Sequence, residues 1–168
     1  TQAEQVDSHQ YLADKGVRSY DLRVDRGALL VPLYNIDGEM VNIQSISPNG
    51  DKYFTKGGQK KGCFYLLGDV TDTLILCEGY STGASIYEAT KIAVAICFDA
   101  GNLMPVALDL STQYPNAKIL IAGDDDRHNE VNTGRIKARE TATHVGGSVV
   151  FPVFDEHVKD NPTAFNDL

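Results

Sequence analysis

The chain has 168 residues, of which 42% are hydrophobic and 23% charged, proportions that are ordinary for a globular protein of one large or two small domains. It contains no apolar run of about 18 residues, which excludes a transmembrane helix, and residues 1–10 lack the apolar core of a signal peptide. The net charge of −8, from 15 basic and 23 acidic residues, argues against nucleic-acid binding through a broad positive surface, although not through a small basic patch. Because the chain does not begin with methionine, we expect it to be a domain of a longer protein.

The three cysteines, Cys63, Cys77 and Cys97, show no Cys-x-x-Cys spacing. Cys77 and Cys97 lie inside apolar, strand-like runs, where cysteine behaves as a small hydrophobic residue. We therefore expect neither a disulfide framework nor a zinc site. This cysteine usage is typical of a protein in the reducing cytoplasm.

Residues 1–70 are predicted to form a small α+β subdomain. A helical segment over residues 3–15 ends at Gly16. Three strands follow at residues 28–34, 40–47 and 52–55, and the turn between the first two contains Asp37-Gly38, a strong signal for a tight hairpin. This pattern predicts an antiparallel meander.

Residues 71–168 change to an alternation of strands and helices. Apolar strands are predicted at 73–77, 92–98, 118–122 and 148–151, with helices at 81–90, 103–110 and 133–145 between them. Ser81 and Asn102 are residue types that cap helix N-termini, and we assign them to the first two helices. Strands that alternate with short helices form βαβ units, so we predict an α/β domain with a mostly parallel four-stranded sheet.

Acidic residues follow two of these predicted strands. Glu78-Gly79 comes after the first, and Asp124-Asp125-Asp126 after the third. Ligands of open α/β sheets bind at the carboxyl ends of the strands, where Asp124 and Asp126 would point the same way in extended backbone. Crowded carboxylates repel one another, and a hard divalent cation such as Mg²⁺ or Mn²⁺ removes that cost. The pattern favours a metal site over a solvated acidic loop, the more common role of such a triplet.

These motifs resemble those of the TOPRIM family. Residues 74–83, an apolar strand that ends in Glu78-Gly79 before a helix, resemble the first TOPRIM motif, and Asp124-x-Asp126 resembles the second. The stretch that precedes them is similar to primases and primase–helicases of phages and conjugative plasmids, at the sequences Tyr11-Leu-x-x-Lys15-Gly16, Leu30-Val31-Pro32-Leu33, Gly50-x-Lys52 and Lys61-Gly62.

The resemblance implies a Rossmann-like TOPRIM fold over residues 71–168 and a primase-type subdomain over residues 1–70. It implies the catalytic core of a DNA primase that makes RNA primers on single-stranded DNA from nucleoside triphosphates, with a replicative helicase as partner in cis or in trans. The catalytic residues would be Glu78, Asp124 and Asp126, which would also hold Mg²⁺ or Mn²⁺. Phe165-Asn166-Asp167 resembles the terminal acidic motif of the family, so Asp167 is a further metal ligand candidate, although Ala164 replaces the first acid of that motif.

Three other functions fit parts of the pattern. Gly79-Tyr80-Ser81-Thr82-Gly83 also matches the Gly-x-Ser-x-Gly motif of serine hydrolases, with His128, His144 and His157 downstream, but that function leaves Asp124 and Asp126 without a role. A non-catalytic module that binds metal or nucleic acid, and a TOPRIM nuclease, would use the same acidic residues. We interpret Tyr80 as a packing residue.

A basic stretch in the first half has two interpretations. Lys52, Lys56, Lys60 and Lys61 lie within ten positions of one another, with Tyr53 and Phe54 among them. They would contact template phosphates or bases, or they would form the solvated edge of a hairpin, where lysine prevents strand pairing. We expect Asp99 and Asp125 to face solvent.

Overall fold

The computed structural model describes residues 3–6, 8–154 and 162–168, which form two five-stranded sheets. The first half of the chain contains β1 (Glu4–Gln5), α1 (Gln10–Lys15), β2 (Arg23–Asp25), β3 (Ala28–Tyr34), β4 (Met40–Ile46) and β5 (Lys52–Phe54). The second contains β6 (Tyr65–Leu67), β7 (Thr73–Cys77), α2 (Tyr80–Thr90), β8 (Ala93–Ile96), α3 (Ala100–Gln113), β9 (Lys118–Ala122), α4 (Thr133–Val145) and β10 (Ser148–Val150). A short 3₁₀ helix follows at Phe165–Asp167.

The first sheet is an antiparallel meander in the order β1-β2-β3-β4-β5. Its strands β3, β4 and β5 are the three that the sequence predicts, and the short strands β1 and β2 were not predicted. Side chains of β3 alternate between a buried and a half-buried face, and Leu29, Val31 and Leu33 are fully buried. The predicted helix over residues 3–15 is wrong at its start. Glu4 pairs instead with Val24 in β1 and β2, because this segment completes the edge of the sheet, and the helix begins only at Gln10.

The second sheet has the order β10-β9-β7-β8-β6. The first four strands in this order, β10, β9, β7 and β8, are parallel to one another, which confirms the predicted α/β architecture. A fifth strand, β6, pairs antiparallel to β8 and was not predicted, because three residues are too few to show a period. Since β6 precedes residue 71 but belongs to the second sheet, the division into domains at residues 1–70 and 71–168 stays a prediction.

Two hydrophobic cores lie on opposite faces of the second sheet. Ile75 and Cys77 of β7 point into a core shared with α1, α2 and the inner face of the first sheet. Leu74 and Leu76 point into the other core, beneath α3 and α4. The period-2 alternation of the strand thus explains why β7 is apolar throughout, since both of its faces are covered.

Both predicted helix caps are wrong. Helix α2 begins at Tyr80 with Gly79 as its N-cap, so Ser81 lies in the first turn and is buried. Helix α3 begins at Ala100, where the Asp99 carboxylate accepts a hydrogen bond from the Asn102 N–H at 3.0 Å. Asn102 is 3% exposed and its Nδ2 donates to the carbonyls of Cys63 and Cys97. The Asn102 side chain therefore does not cap the helix, because its amide satisfies two buried carbonyl groups from other segments.

The three cysteines are free and buried. Within the described ranges, no helix combines the length and the apolar character that crossing a membrane requires.

Candidate metal centre

Glu78 and Asp124 leave the second sheet at the same edge. Strands β7 and β9 are neighbours and parallel, with Leu76 paired to Ile121. Each strand ends one residue or two before its acid, so both carboxyl groups emerge where the strands stop. This is the edge at which ligands of open α/β sheets bind.

The carboxyl groups at this edge perturb one another. Burial, followed by the charges of Asp124 and Asp126, raises the pKa of Glu78 to about 8, against a partial opposing effect of the Asp124 backbone N–H. Burial and the charges of Asp126 and Asp167 raise the pKa of Asp124 to about 7, and the Lys52 ammonium acts in the opposite direction. Half-buried acids with pKa values in this range are typical of functional sites.

Two oxygen atoms of this cluster lack hydrogen-bond partners. Glu78 Oε1 and Asp124 Oδ1 are buried, and neither is hydrogen-bonded within the described part of the chain. A buried acceptor without a partner is costly, and a divalent cation with its bound waters would satisfy both. No three histidine, cysteine, aspartate or glutamate side chains in the described ranges are grouped closely enough to enclose an ion by themselves. Mg²⁺ needs only one or two carboxylates because it keeps several waters, so the donor set fits Mg²⁺.

Asp126 is held by the N-terminus of α4. Its Oδ2 accepts a hydrogen bond from the Gly134 N–H at 3.0 Å, and its own N–H donates to Asn132 Oδ1 at 3.1 Å. Free backbone N–H groups and the helix dipole stabilise a negative charge at this end of a helix. The same contact leaves the second oxygen of Asp126 for a cation.

Glycine is required at position 134. A Cβ atom there would lie 2.6 Å from the carbonyl oxygen of Asp124 and 3.1 Å from Asp126 Oδ2. We expect Gly134→Ala to push the Asp124–Asp126 segment away from α4, to lower stability by about 1–3 kcal/mol, and to weaken Mn²⁺ binding. Thermal unfolding and Mn²⁺ titration measure both effects. The adjacent exposed substitution Thr133→Ala is the control, and a Gly134→Ala protein that binds Mn²⁺ like the Thr133→Ala protein would contradict the expectation.

Asp125 does not face solvent, contrary to the expectation from sequence. It is 3% exposed, and its carboxylate contacts Arg127 at 3.1 Å and Arg135 at 3.4 Å. Asn132 Nδ2 donates to its Oδ1 at 2.7 Å. These ion pairs and the hydrogen bond make the burial of the Asp125 carboxylate tolerable. Asp99 is half-exposed.

Asp167 lies close enough to the cluster to raise the pKa of Asp124. Its Oδ2 accepts hydrogen bonds from the N–H groups of Thr163 and Ala164, both at 3.0 Å, and Lys15 Nζ lies 3.5 Å from its Oδ1. Burial raises the pKa of Asp167, but the two backbone N–H groups and the Lys15 ammonium outweigh burial and leave the pKa below its usual value. Asp167 is therefore an anionic neighbour of the cluster, and its role as a metal ligand stays a prediction.

The four lysines of the basic stretch have different surroundings. Lys52 faces the acidic cluster, since its ammonium lowers the pKa of Asp124, and it lies 5.9 Å from the Tyr11 ring centroid. Lys60 forms an ion pair with Asp99 and lies 5.1 Å from the Phe54 ring centroid. Lys56 and Lys61 are exposed.

The Gly-x-Ser-x-Gly stretch is packed inside the protein. Ser81 is 7% exposed, and no histidine of the described ranges is hydrogen-bonded to it; His157 lies outside those ranges. Tyr80 is fully buried, and its hydroxyl donates to the carbonyls of Arg18 at 2.9 Å and Ser19 at 2.7 Å. This contact joins the two halves of the chain and agrees with the interpretation of Tyr80 as a packing residue.

Comparison with known proteins gives consistent matches. The Toprim domain family matches residues 73–167. A DNA primase TraC from Escherichia coli is 39% identical, over 86% of this chain and 15% of the relative. The solved primase fragment of the bacteriophage T7 primase–helicase protein is 14% identical with a TM-score of 0.63, over 98% of this chain and 74% of that one. A DnaG primase catalytic domain solved with single-stranded DNA is 16% identical with a TM-score of 0.51, over 89% of this chain and 53% of that one.

These matches differ in what they establish. The structural likenesses, at 14% and 16% identity, show a shared fold. The TraC relative is much closer in sequence, but the chain spans only 15% of its length. The family match covers more than half of the chain and includes Glu78, Asp124, Asp126 and Asp167.

Proposed function

This chain belongs to the Toprim domain family, and we propose that it is the catalytic core of a DNA primase, a nucleotidyltransferase that synthesises RNA primers on single-stranded DNA. One observation carries the proposal: Glu78 and Asp124 follow neighbouring parallel strands at the same edge of the sheet, and each has a buried oxygen without a hydrogen-bond partner in the described residues. The 39% identity to a DNA primase TraC supports primer synthesis as the reaction of this site.

Asp124 and Asp126 would hold Mg²⁺ or Mn²⁺. Such an ion, when bound, would neutralise the phosphates of the incoming nucleotide and the charge that develops during transfer. Asp126 is oriented for this by the Gly134 N–H, and Asp124 presents an oxygen without a hydrogen-bond partner. Both carboxylates lie in the loop between β9 and α4, where the contact with Gly134 ties Asp126 to the start of the helix.

Glu78 would act as a general base that accepts the proton of the attacking hydroxyl, or it would bind the metal ion together with Asp124 and Asp126. In primer synthesis, a nucleotide 3′-hydroxyl attacks the α-phosphorus of the next nucleoside triphosphate, and the bond to pyrophosphate breaks. The hydroxyl loses its proton in this step, and a general base works best when its pKa is near the working pH. The pKa of Glu78, raised to about 8 by burial and by Asp124 and Asp126, meets that requirement before a cation binds.

The proposed partners are single-stranded DNA, nucleoside triphosphates and a replicative helicase in cis or in trans. Two structural matches name such partners, since one comes from a primase–helicase protein and the other was solved with single-stranded DNA. A reaction on replicating DNA would take place in the cytoplasm.

A priming assay tests the proposal. The whole protein is incubated with a single-stranded DNA template and labelled ribonucleoside triphosphates, with Mg²⁺, with Mn²⁺, or with a chelator. Short RNA products that require both template and cation would support the proposal. Cation-dependent shortening of the DNA without ribonucleotides would assign a nuclease, and cation-independent hydrolysis of activated esters would assign a serine hydrolase.

Template contact is proposed for Lys56 and Lys61, which are exposed, because Lys60 is already paired with Asp99 and the Lys52 ammonium faces Asp124. We expect Lys56→Ala/Lys61→Ala to weaken binding of single-stranded DNA and to flatten its salt dependence. Each phosphate contact adds about 0.7 to the slope of log affinity against log salt, so loss of two contacts reduces the slope by about 1.4. Fluorescence anisotropy at several salt concentrations measures the slope.

The control for this experiment removes two positive charges elsewhere. Lys91 follows α2 and Lys118 begins β9, at the opposite end of the parallel strands from the acidic cluster. The Lys91→Ala/Lys118→Ala protein has the same net charge as the test variant and should keep the wild-type slope. Equal slopes in both double variants would mean that Lys56 and Lys61 are a solvated hairpin edge.

A further inference from the structure

We propose that Asp125, the middle residue of the acidic triplet, is a positioning residue whose buried carboxylate fixes the directions of Asp124 and Asp126. The inference rests on the proposed function, because it concerns the geometry of the same metal centre. It assigns to Asp125 a role in cation binding without direct contact with the cation.

The carboxylate of Asp125 is the centre of a clamp built by three side chains. Arg127, Arg135 and Asn132 all contact it, at 3.1, 3.4 and 2.7 Å. At 3% exposure, this carboxylate is costly to bury without such partners.

Asn132 connects the Asp125 carboxylate to the backbone of Asp126. Its Nδ2 binds the Asp125 carboxylate, while its Oδ1 accepts hydrogen bonds from the Asp126 N–H and the Arg135 N–H, both at 3.1 Å. One side chain therefore caps α4, fixes the backbone of Asp126 and contacts Asp125. The backbone N–H of Asp125 also donates to the Thr163 carbonyl at 2.7 Å, which links the clamp to the segment that carries Asp167.

Both arginines of the clamp also lie over aromatic rings. The guanidinium of Arg135 lies 4.5 Å from the Phe151 ring centroid, and that of Arg127 lies 5.1 Å from the Phe154 ring centroid. Stacking on aromatic rings restricts the planar guanidinium groups. The rings contact the arginines, and the arginines contact Asp125. Hydrogen-bonded groups of this kind, outside the direct ligands of a metal ion, set the orientation of those ligands.

The test compares Asp125→Ala and Asp125→Asn with Glu130→Gln, which removes one negative charge from an exposed position in the same loop. Mn²⁺ binding to the metal-free whole protein is titrated by electron paramagnetic resonance, and binding that Asp124→Asn/Asp126→Asn removes defines the site. We expect Asp125→Ala to lower the Mn²⁺ affinity of this site by about 10–100-fold, as for other groups that orient metal ligands. The Glu130→Gln protein should stay within about twofold of wild type.

Two further readouts separate positioning from a general loss of structure. Amide hydrogen exchange of residues 124–126 should accelerate in the Asp125 variants while the cores exchange as in wild type. Saturating Mn²⁺ should restore primer synthesis to Asp125→Asn but not to Asp124→Asn. Asp125→Asn keeps the shape of the side chain and loses only its charge, so it decides the question if Asp125→Ala does not fold.

The possible failures can be told apart. A wild-type protein that binds no more Mn²⁺ than Asp124→Asn/Asp126→Asn would overturn the metal centre, the proposed function and this inference together. A wild-type site that binds Mn²⁺, with unchanged affinity and unchanged exchange in folded Asp125→Asn, would overturn the positioning role alone.

Discussion

Replacement of Asp124 by Asn is expected to lower primer synthesis by more than about a thousandfold. The substitution keeps the size of the side chain but removes the negative charge that would hold the divalent cation. A bound metal ion contributes several kcal/mol of transition-state stabilisation, and about 4 kcal/mol corresponds to a factor of a thousand in rate. The rate of RNA synthesis on single-stranded DNA, measured at several Mg²⁺ concentrations, tests the expectation.

Ser81→Ala is the control for this prediction because Ser81 belongs to the competing hydrolase motif. Ser81 is buried in the first turn of α2 and is not its N-cap, so we expect the variant to retain primer synthesis. An Asp124→Asn protein with near-wild-type priming would contradict the proposed metal centre. Loss of activity in Ser81→Ala alone, in a folded protein, would favour the hydrolase function.

Without a divalent cation, the protein is expected to lose stability as the pH rises from about 4 to about 8. The folded protein holds protons on Glu78 and Asp124 up to about pH 8 and about pH 7, whereas the ordinary pKa values of these groups are 4.5 and 3.8. Over the interval between, the folded state binds more protons than the unfolded chain, so the free energy of unfolding falls with pH. At about 1.4 kcal/mol per pKa unit, and with partial solvent access, Glu78 contributes about 2 kcal/mol to the loss.

Mg²⁺ should reverse this trend. The cation replaces the protons that the cluster would otherwise hold, and its stabilising effect should therefore grow with pH. Urea unfolding at pH 5 and pH 8, with Mg²⁺ and with a chelator, measures both effects. In Glu78→Gln, the pH dependence of the metal-free protein should be smaller than in wild type. Metal-free stability that rises from pH 5 to pH 8, or Mg²⁺ stabilisation that is equal at both values, would contradict the prediction.

Arg127 and Arg135 explain how three consecutive aspartates can be accommodated in one loop. Three adjacent carboxylates on one side would repel strongly, but Asp125 is paired with the two guanidinium groups behind the segment. Only Asp124 and Asp126 remain to repel each other near Glu78. Asp124 and Asp126 raise the pKa of Glu78, and Asp126 raises that of Asp124, with further contributions from Asp99 to Glu78 and from Asp167 to Asp124.

Local pattern was sufficient to predict the parallel sheet and the meeting of the acids. Strands β7 and β9 are apolar on both faces, and helices of the right length separate the strands, which is the signature of a sheet covered on both sides. Once the strands are parallel, their ends share an edge, so Glu78 and Asp124 meet there although 46 positions separate them. The antiparallel meander followed in the same way from alternating residues and from the Asp37-Gly38 turn.

Contacts between distant segments decided the partners of the polar side chains, which the sequence pattern could not predict. Asp125 looks like its acidic neighbours in sequence, and it is buried only because Arg135 of α4 and Asn132 reach its carboxylate. Lys52 and Lys60 are part of one basic stretch, yet Lys52 faces Asp124 while Lys60 pairs with Asp99. Hydrophobic periodicity records which face of an element is buried, whereas the partner of a polar side chain is set by how whole elements pack. The sequence by itself therefore determined the sheet and the edge to which Glu78 and Asp124 belong. The tertiary structure decided that Asp125 is paired with Arg127, Arg135 and Asn132, while Glu78 and Asp124 keep buried oxygens without a hydrogen-bond partner in the described residues.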